Sequence, residues 1–300
     1  MTLNKPVIFV AAAAFLWGLI GLFGTFLNRA GVTALEIVSL RAVFSGVFLT
    51  LYWLIKDRSV LRVRFKDLKY FAGTGLLSFL VFNYFFFTTM QLTNISVSVT
   101  LLYTCPIFVV LLSRLFFKEP LTTSKWTALL LTLSGCALVT GLIGQPLDKV
   151  PFTGILTGLC SGLTFALYSI FSKLALAKYS SATVTTYTFI VASIGILFIV
   201  PPVFFAEISV QPAVLLPGLS LALLCTVVPF LLYTRAVQSL EAGRAALITT
   251  LEPVVAALLG YFVFGEALGI LKVVGILLVA TGVLLVQRPG ASGTLTENAS

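Results

Sequence analysis

Two ionisable side chains, Arg41 and Glu252, stand deep inside apolar stretches of this chain. A charge within a bilayer costs at least about 2.5–3.5 kcal/mol on insertion scales, so each should face protein or water rather than lipid. A fixed guanidinium suits recognition of a substrate carboxylate, and a carboxyl group suits a partner role or a protonatable switch. A permanent structural ion pair, or an Arg41 that snorkels outward, fits the same residues. Pro253 follows Glu252 directly. It removes the amide that would bond the carbonyl of Thr249 and so loosens a helical turn. Cys105 and Pro106 repeat the arrangement 147 residues earlier. Paired kinks of this kind would turn backbone polar groups toward a cavity, and Pro106 and Pro253 are therefore candidate gating positions. A packing kink satisfied by the hydroxyls of Thr249 or Thr250 is the plainer alternative. Trp17, Asn83, Tyr84, Tyr103 and Tyr168 complete the candidate substrate-binding set, because buried Asn and Tyr need partners and should face a bundle interior. Tyr and Trp also gather at membrane interfaces, which is the competing reading.

Other chemistry is missing. The chain has no His, and Cys105, Cys136, Cys160 and Cys225 all lie in apolar runs, so neither a metal cluster nor a disulfide framework is expected, and no cofactor. No GxxxxGK[ST] loop is present to bind nucleotide phosphates. The ten acidic residues are dispersed rather than clustered, which argues against an enzyme. A non-transporting membrane scaffold or an integral-membrane enzyme remains the alternative to a carrier.

The elements that must position these residues follow from composition. Of 300 residues, 59% are hydrophobic and 10% charged, and the mean hydropathy is +1.11. Such values exclude a water-soluble fold. The formal charge of +9 does not mark a nucleic-acid binder, because the Lys and Arg residues flank apolar runs and form no continuous basic face. The apolar runs predict an all-α integral membrane protein with ten transmembrane helices near 7–28, 35–55, 70–90, 95–117, 125–143, 152–174, 182–205, 213–236, 243–264 and 269–287. Pro201–Pro202, Pro217 and Pro229 should kink spans locally. At 1.5 Å per residue, Arg41 falls roughly 9 Å below the outer edge of span two and Glu252 roughly 14 Å above the inner edge of span nine, within reach of one another.

With the N-terminus inside, fifteen cations lie on the inner side, six of them between Lys56 and Lys69, and three on the outer side. The positive-inside rule then predicts a multi-pass protein of the plasma membrane with cytoplasmic N- and C-termini. Residues 289–300 read as a disordered cytoplasmic tail. The expected partners are a small-molecule substrate and the lipid bilayer, not nucleic acid, and a homodimer is left open.

The chain also resembles itself. At an offset of 147 residues, Pro106 matches Pro253, Glu119 matches Glu266, Lys125 matches Lys272 and Gly135 matches Gly282. Five spans per half, an odd number, put the second copy upside down, giving two five-helix inverted repeats at 1–144 and 152–288. Inverted repeats with a midplane site recur among secondary transporters. Glu119 and Glu266 sit at span ends, where helix capping or loop pairing is the expected role.

The paired stretches CPIFVVLLSRLFFKEPLTTSKWTALLLTLSGCALV and EPVVAALLGYFVFGEALGILKVVGILLVATGVLLV, together with Trp17-Gly18 in the first span, resemble the EamA family of the drug/metabolite transporter superfamily. The resemblance covers residues 7–288. It implies ten spans in two inverted halves, with spans five and ten bracing a cavity formed by the others. It also implies export or exchange of small metabolites such as amino acids. Pro120 after Glu119, where Ala267 follows Glu266, departs from the repeat and bears on loop geometry.

Overall fold

The computed structural model describes residues 5–143, 145, 150–200, 204–205 and 211–287. Pro201–Pro202 and the predicted tail at 289–300 lie outside the described residues. Regular structure within them is entirely helical. Eight helices are long and apolar enough to cross a membrane: α1 (Lys5–Arg29), α2 (Ala34–Lys56), α3 (Phe65–Leu92), α4 (Ile95–Phe117), α6 (Phe152–Leu176), α8 (Pro212–Val237), α9 (Ala242–Phe264) and α10 (Ile270–Gln287). Two shorter apolar helices, α5 (Thr123–Val139) and α7 (Ser181–Leu197), complete the set. Predicted span five was to continue to residue 143. It stops at Val139 because the chain turns through Gly141 at φ 75°, a conformation costly for residues with a side chain.

Five helices are irregular: α1 breaks at Leu19, with no counterpart in the unbroken α6, and the other four irregularities come in pairs. Helix α4 breaks at Tyr103–Thr104 and α9 at Thr250, one turn before Pro106 and Pro253 respectively. The Thr249 and Thr250 hydroxyls donate to the carbonyls of Ala246 and Leu247 at 2.7 and 2.6 Å, so the freed backbone groups at this break are partly satisfied from within. Both helices end on a left-handed residue, Lys118 (φ 56°) and Gly265 (φ 69°), again 147 positions apart. Helices α3 and α8 each widen into π-helix, over Gly73–Val81 and Leu223–Val227. Inside each widened stretch a hydroxyl reaches back five residues, Ser78 to the Gly73 carbonyl at 2.8 Å and Thr226 to that of Leu221 at 3.0 Å. In α8 the cause is Pro229, which has no amide to donate and crowds the carbonyl of Cys225.

Helices α5 and α10 pack face to face through glycine. A β-carbon on Gly135 would stand 2.7 Å from the Gly275 carbonyl oxygen, and one on Gly282 would stand 3.0 Å from that of Ala128. The 147-residue offset exchanges these two contacts, carrying 135 onto 282 and 128 onto 275.

The connections rich in Lys and Arg meet at one end of the bundle. Lys178 Nζ pairs with Asp67 at 2.7 Å and Lys125 Nζ with Glu241 at 2.8 Å. The Asp67 carboxylate holds the Lys178 ammonium above its usual pKa. We refer to this as the basic end.

Candidate substrate site

A cavity of about 70 Å3 lies between the paired helix breaks and the two π-helical stretches. Its wall comes from α1 (Trp17, Ile20), α2 (Arg41), α3 (Ser78, Phe79, Phe82), α4 (Leu102, Tyr103, Cys105, Pro106), α6 (Phe165), α8 (Phe230) and α9 (Thr249, Glu252). Helices α5 and α10 contribute nothing to it. Irregular backbone is tolerated at membrane depth only where protein or water satisfies it, so the coincidence of these irregularities around one cavity, the α1 break between Trp17 and Ile20 included, has a physical basis.

Arg41 is held by the two widened helices together. Its Nε donates to Thr226 Oγ1 at 3.1 Å, and its guanidinium carbon stands 5.7 Å from the centre of the Phe79 ring. Thr226 and Phe79 are repeat counterparts, 147 positions apart. The remaining guanidinium donors have no protein partner among the described residues. Glu252 occupies the first turn of the α9 segment after the break, where exposed amides favour negative charge. Its repeat counterpart, Cys105, opens the corresponding segment of α4 and lines the same cavity. Arg41 and Glu252 thus share one cavity without forming an ion pair: every salt bridge among the described residues lies elsewhere.

Aromatic packing closes the cavity toward the basic end. Phe230 meets Trp17, Phe189 and Tyr168 edge-on at 5.3, 5.1 and 4.9 Å between ring centres. Tyr168 hydrogen-bonds Thr234 at 2.8 Å, and Tyr233 hydrogen-bonds Ser169 at 2.7 Å. Tyr168 lines a smaller adjoining cavity that shares Trp17, Cys105, Phe165, Phe230 and Thr249 with the first.

Of the residues singled out from sequence, Trp17, Arg41, Tyr103, Pro106 and Glu252 come together on the central cavity, and Tyr168 lies beside it. Pro253 faces a separate vestibule at the end opposite the basic one, which also contains Tyr103. Asn83 and Tyr84 stand apart on an outer groove between α2, α3 and α7. Asn83 donates to the Phe79 carbonyl at 2.7 Å, whereas Tyr84 is 67% exposed and points away from the bundle. Both side chains line that groove, Asn83 buried and Tyr84 exposed. The expectation that both face inward is corrected for Tyr84. The aromatic wall of Phe79, Phe82, Phe165 and Phe230, and the anchor Thr226, were not singled out from sequence. Twenty-six Phe residues hide four important ones. Pro229 was the one local signal that α8 would widen beside Thr226.

The EamA-like transporter family model matches the chain twice, over residues 4–141 and 152–288. An uncharacterized transporter of Archaeoglobus fulgidus is 30% identical over 90% of this chain and 93% of its own length. The Bacillus subtilis transporters YwfM and YxxF are 26% and 24% identical, covering 95% and 92% of this chain and 94% and 89% of their own. A crystal structure with 18% sequence identity superposes with a TM-score of 0.76 over 93% of this chain and 95% of that one, which establishes the likeness of fold. Apolar spanning helices, a buried charged cavity and both family matches lead to one conclusion: the chain is a multi-pass membrane transporter and belongs to the EamA-like transporter family.

Proposed function

We propose that the protein exports small zwitterionic metabolites, amino acids being the simplest, by alternating access in the plasma membrane. The observation that carries this reading is the unpaired Arg41 and Glu252 on one cavity wall. A molecule bearing both a carboxylate and an ammonium satisfies the two residues at once, whereas either ion alone leaves one buried charge uncompensated. At about 70 Å3 the cavity holds only a few waters, so it represents an occluded or constricted stage that must widen to admit substrate.

The architecture proposed is ten spans in two oppositely oriented halves, 1–144 and 152–288, with the basic end and both termini in the cytoplasm. The paired breaks, caps and π-helical stretches support it. So does the length of α5 and α7: seventeen residues span about 26 Å, close to a hydrocarbon thickness of about 30 Å.

Uptake of labelled amino acids into proteoliposomes tests the function. Saturable uptake that competes with other zwitterions is expected. Uptake only of compounds lacking a carboxylate would overturn the substrate class. Single cysteines at Lys66 and in the tail, in a cysteine-free background, should label from the same side of the membrane. Labelling from opposite sides would break the ten-span topology.

A further inference from the structure

Glu119 is tied to two helices, α6 and α9, at the basic end although it belongs to the short α4–α5 connection. Its side chain is 7% exposed. Oε1 accepts from the Ala242 amide at 2.9 Å and Oε2 from the Gly243 amide at 3.2 Å, so it holds the first turn of α9 rather than of the helix that follows it. Lys173 of α6 binds the same Oε1 at 2.6 Å. Next to it, Lys125 of α5 pairs with Glu241, the residue before α9, at 2.8 Å and donates to the Pro120 carbonyl at 2.8 Å. The N-terminus of α9 is thereby fastened across the basic end.

The 147-residue offset carries Glu119 onto Glu266, Lys125 onto Lys272, and Ala242–Gly243 onto Ile95–Ser96 at the start of α4. None of the corresponding contacts is made. The Glu266 side chain is 56% exposed and its salt bridge is with Lys272, at 3.3 Å. A vestibule of about 380 Å3 separates Glu266 and Lys272 from Ile95 and Ser96 and runs inward to Tyr103, at the edge of the central cavity. Among the described residues the amides of Ile95 and Ser96 have no acceptor, while that of Val97 is taken by Asn94 Oδ1 at 3.0 Å. One end of the molecule is fastened, and the matching parts at the other end stand open.

We propose that Glu119 and Glu266 are alternating latches on the broken helices. Release of the α9 amides by Glu119 opens the basic end, and capture of the Ile95 and Ser96 amides by Glu266 closes the vestibule. The two glutamates are positioning residues: neither touches the central cavity. This rests on the inverted-repeat transporter reading above.

The test is the rate at which a membrane-impermeant maleimide modifies a single cysteine at Ser96 in the full-length, cysteine-free protein in proteoliposomes. Ser96 is read because it lines the vestibule in the present state. Glu119→Gln should slow labelling roughly tenfold, the shift in a two-state equilibrium expected from losing a charge-assisted hydrogen bond. Adding Glu266→Gln should restore the rate, because the closed vestibule then lacks its own latch. A merely structural Glu119 would give the same rate with or without Glu266, and that result overturns the proposal. Glu266→Gln alone, at an exposed position, covers the case in which Glu119→Gln does not fold. It should slow amino-acid exchange at least several-fold with Ser96 labelling undiminished, and unchanged exchange overturns the latch. The two readings fail separately. Saturable uptake with labelling indifferent to both glutamates removes the latch and keeps the carrier, whereas Glu266-dependent labelling without uptake of any labelled amino acid removes the carrier function and keeps the latch.

Discussion

Replacing Arg41 with Met keeps most of the side-chain volume and removes the cation. Within the protein it removes the 3.1 Å bond to Thr226 and the contact with the Phe79 ring. It also removes the cost of burying a charge, so the net effect on stability should be small, within about 1–2 kcal/mol. Substrate binding should suffer more. A charge-assisted hydrogen bond to a carboxylate contributes about 1.5–3 kcal/mol. At about 1.4 kcal/mol per factor of ten, KM for an amino acid should rise roughly 10- to 150-fold. The informative assay compares proteoliposome uptake of an amino acid with uptake of its methyl ester, which keeps the ammonium and lacks the carboxylate. Arg41→Met should narrow the preference for the acid over the ester by the same factor, with yield unchanged and a melting temperature within a few degrees of wild type in detergent. Equal losses for acid and ester would show that Arg41 supports the cavity without recognising the carboxylate. Undiminished acid uptake would remove it from the site.

One carboxyl group facing one cation, in a chain without His, is a poor proton relay, so uptake should equilibrate without responding to an imposed pH gradient in both wild type and Glu252→Gln, the variant showing weaker binding. Gradient-driven accumulation that disappears in Glu252→Gln would establish proton coupling instead. Gly135→Leu should force α5 and α10 apart and cost about 1–3 kcal/mol, seen as a melting temperature several degrees lower. Gly24→Leu, where no atom lies within 4 Å of an added β-carbon, should leave it nearly unchanged. Equal melting of the two variants would refute the close packing of α5 on α10.

The location of the helices was legible because hydrocarbon imposes one dominant requirement, an apolar run of sufficient length. Arg41 and Glu252 were legible for the converse reason, since a charge within such a run needs a special environment. The helix breaks could be read from Pro106 and Pro253, which remove backbone donors at known positions. The π-helical stretches could not be foreseen in α3, where Gly73–Val81 contains no proline and nothing in its apolar pattern distinguishes five-residue from four-residue spacing. With that register hidden, Phe79 could not be placed against Arg41, nor Tyr84 directed outward. Glu119 was legible as a cap but not as a cap on α9, because its partners at 242 and 243 are far away in the chain.

The charged pair also bears on ancestry. Arg41 belongs to the first half and Glu252 to the second, and their counterparts at the 147-residue offset are Thr188 and Cys105. A homodimer of first halves would surround the cavity with two arginines and no glutamate, and a homodimer of second halves with the reverse. Only the covalently joined, diverged pair presents one charge of each sign. On the inverted-repeat reading proposed above, joining the halves does more than fix their stoichiometry: each copy is free to lose what the other keeps, and the distinct acid-binding and amine-binding sides proposed for the site follow from that asymmetry.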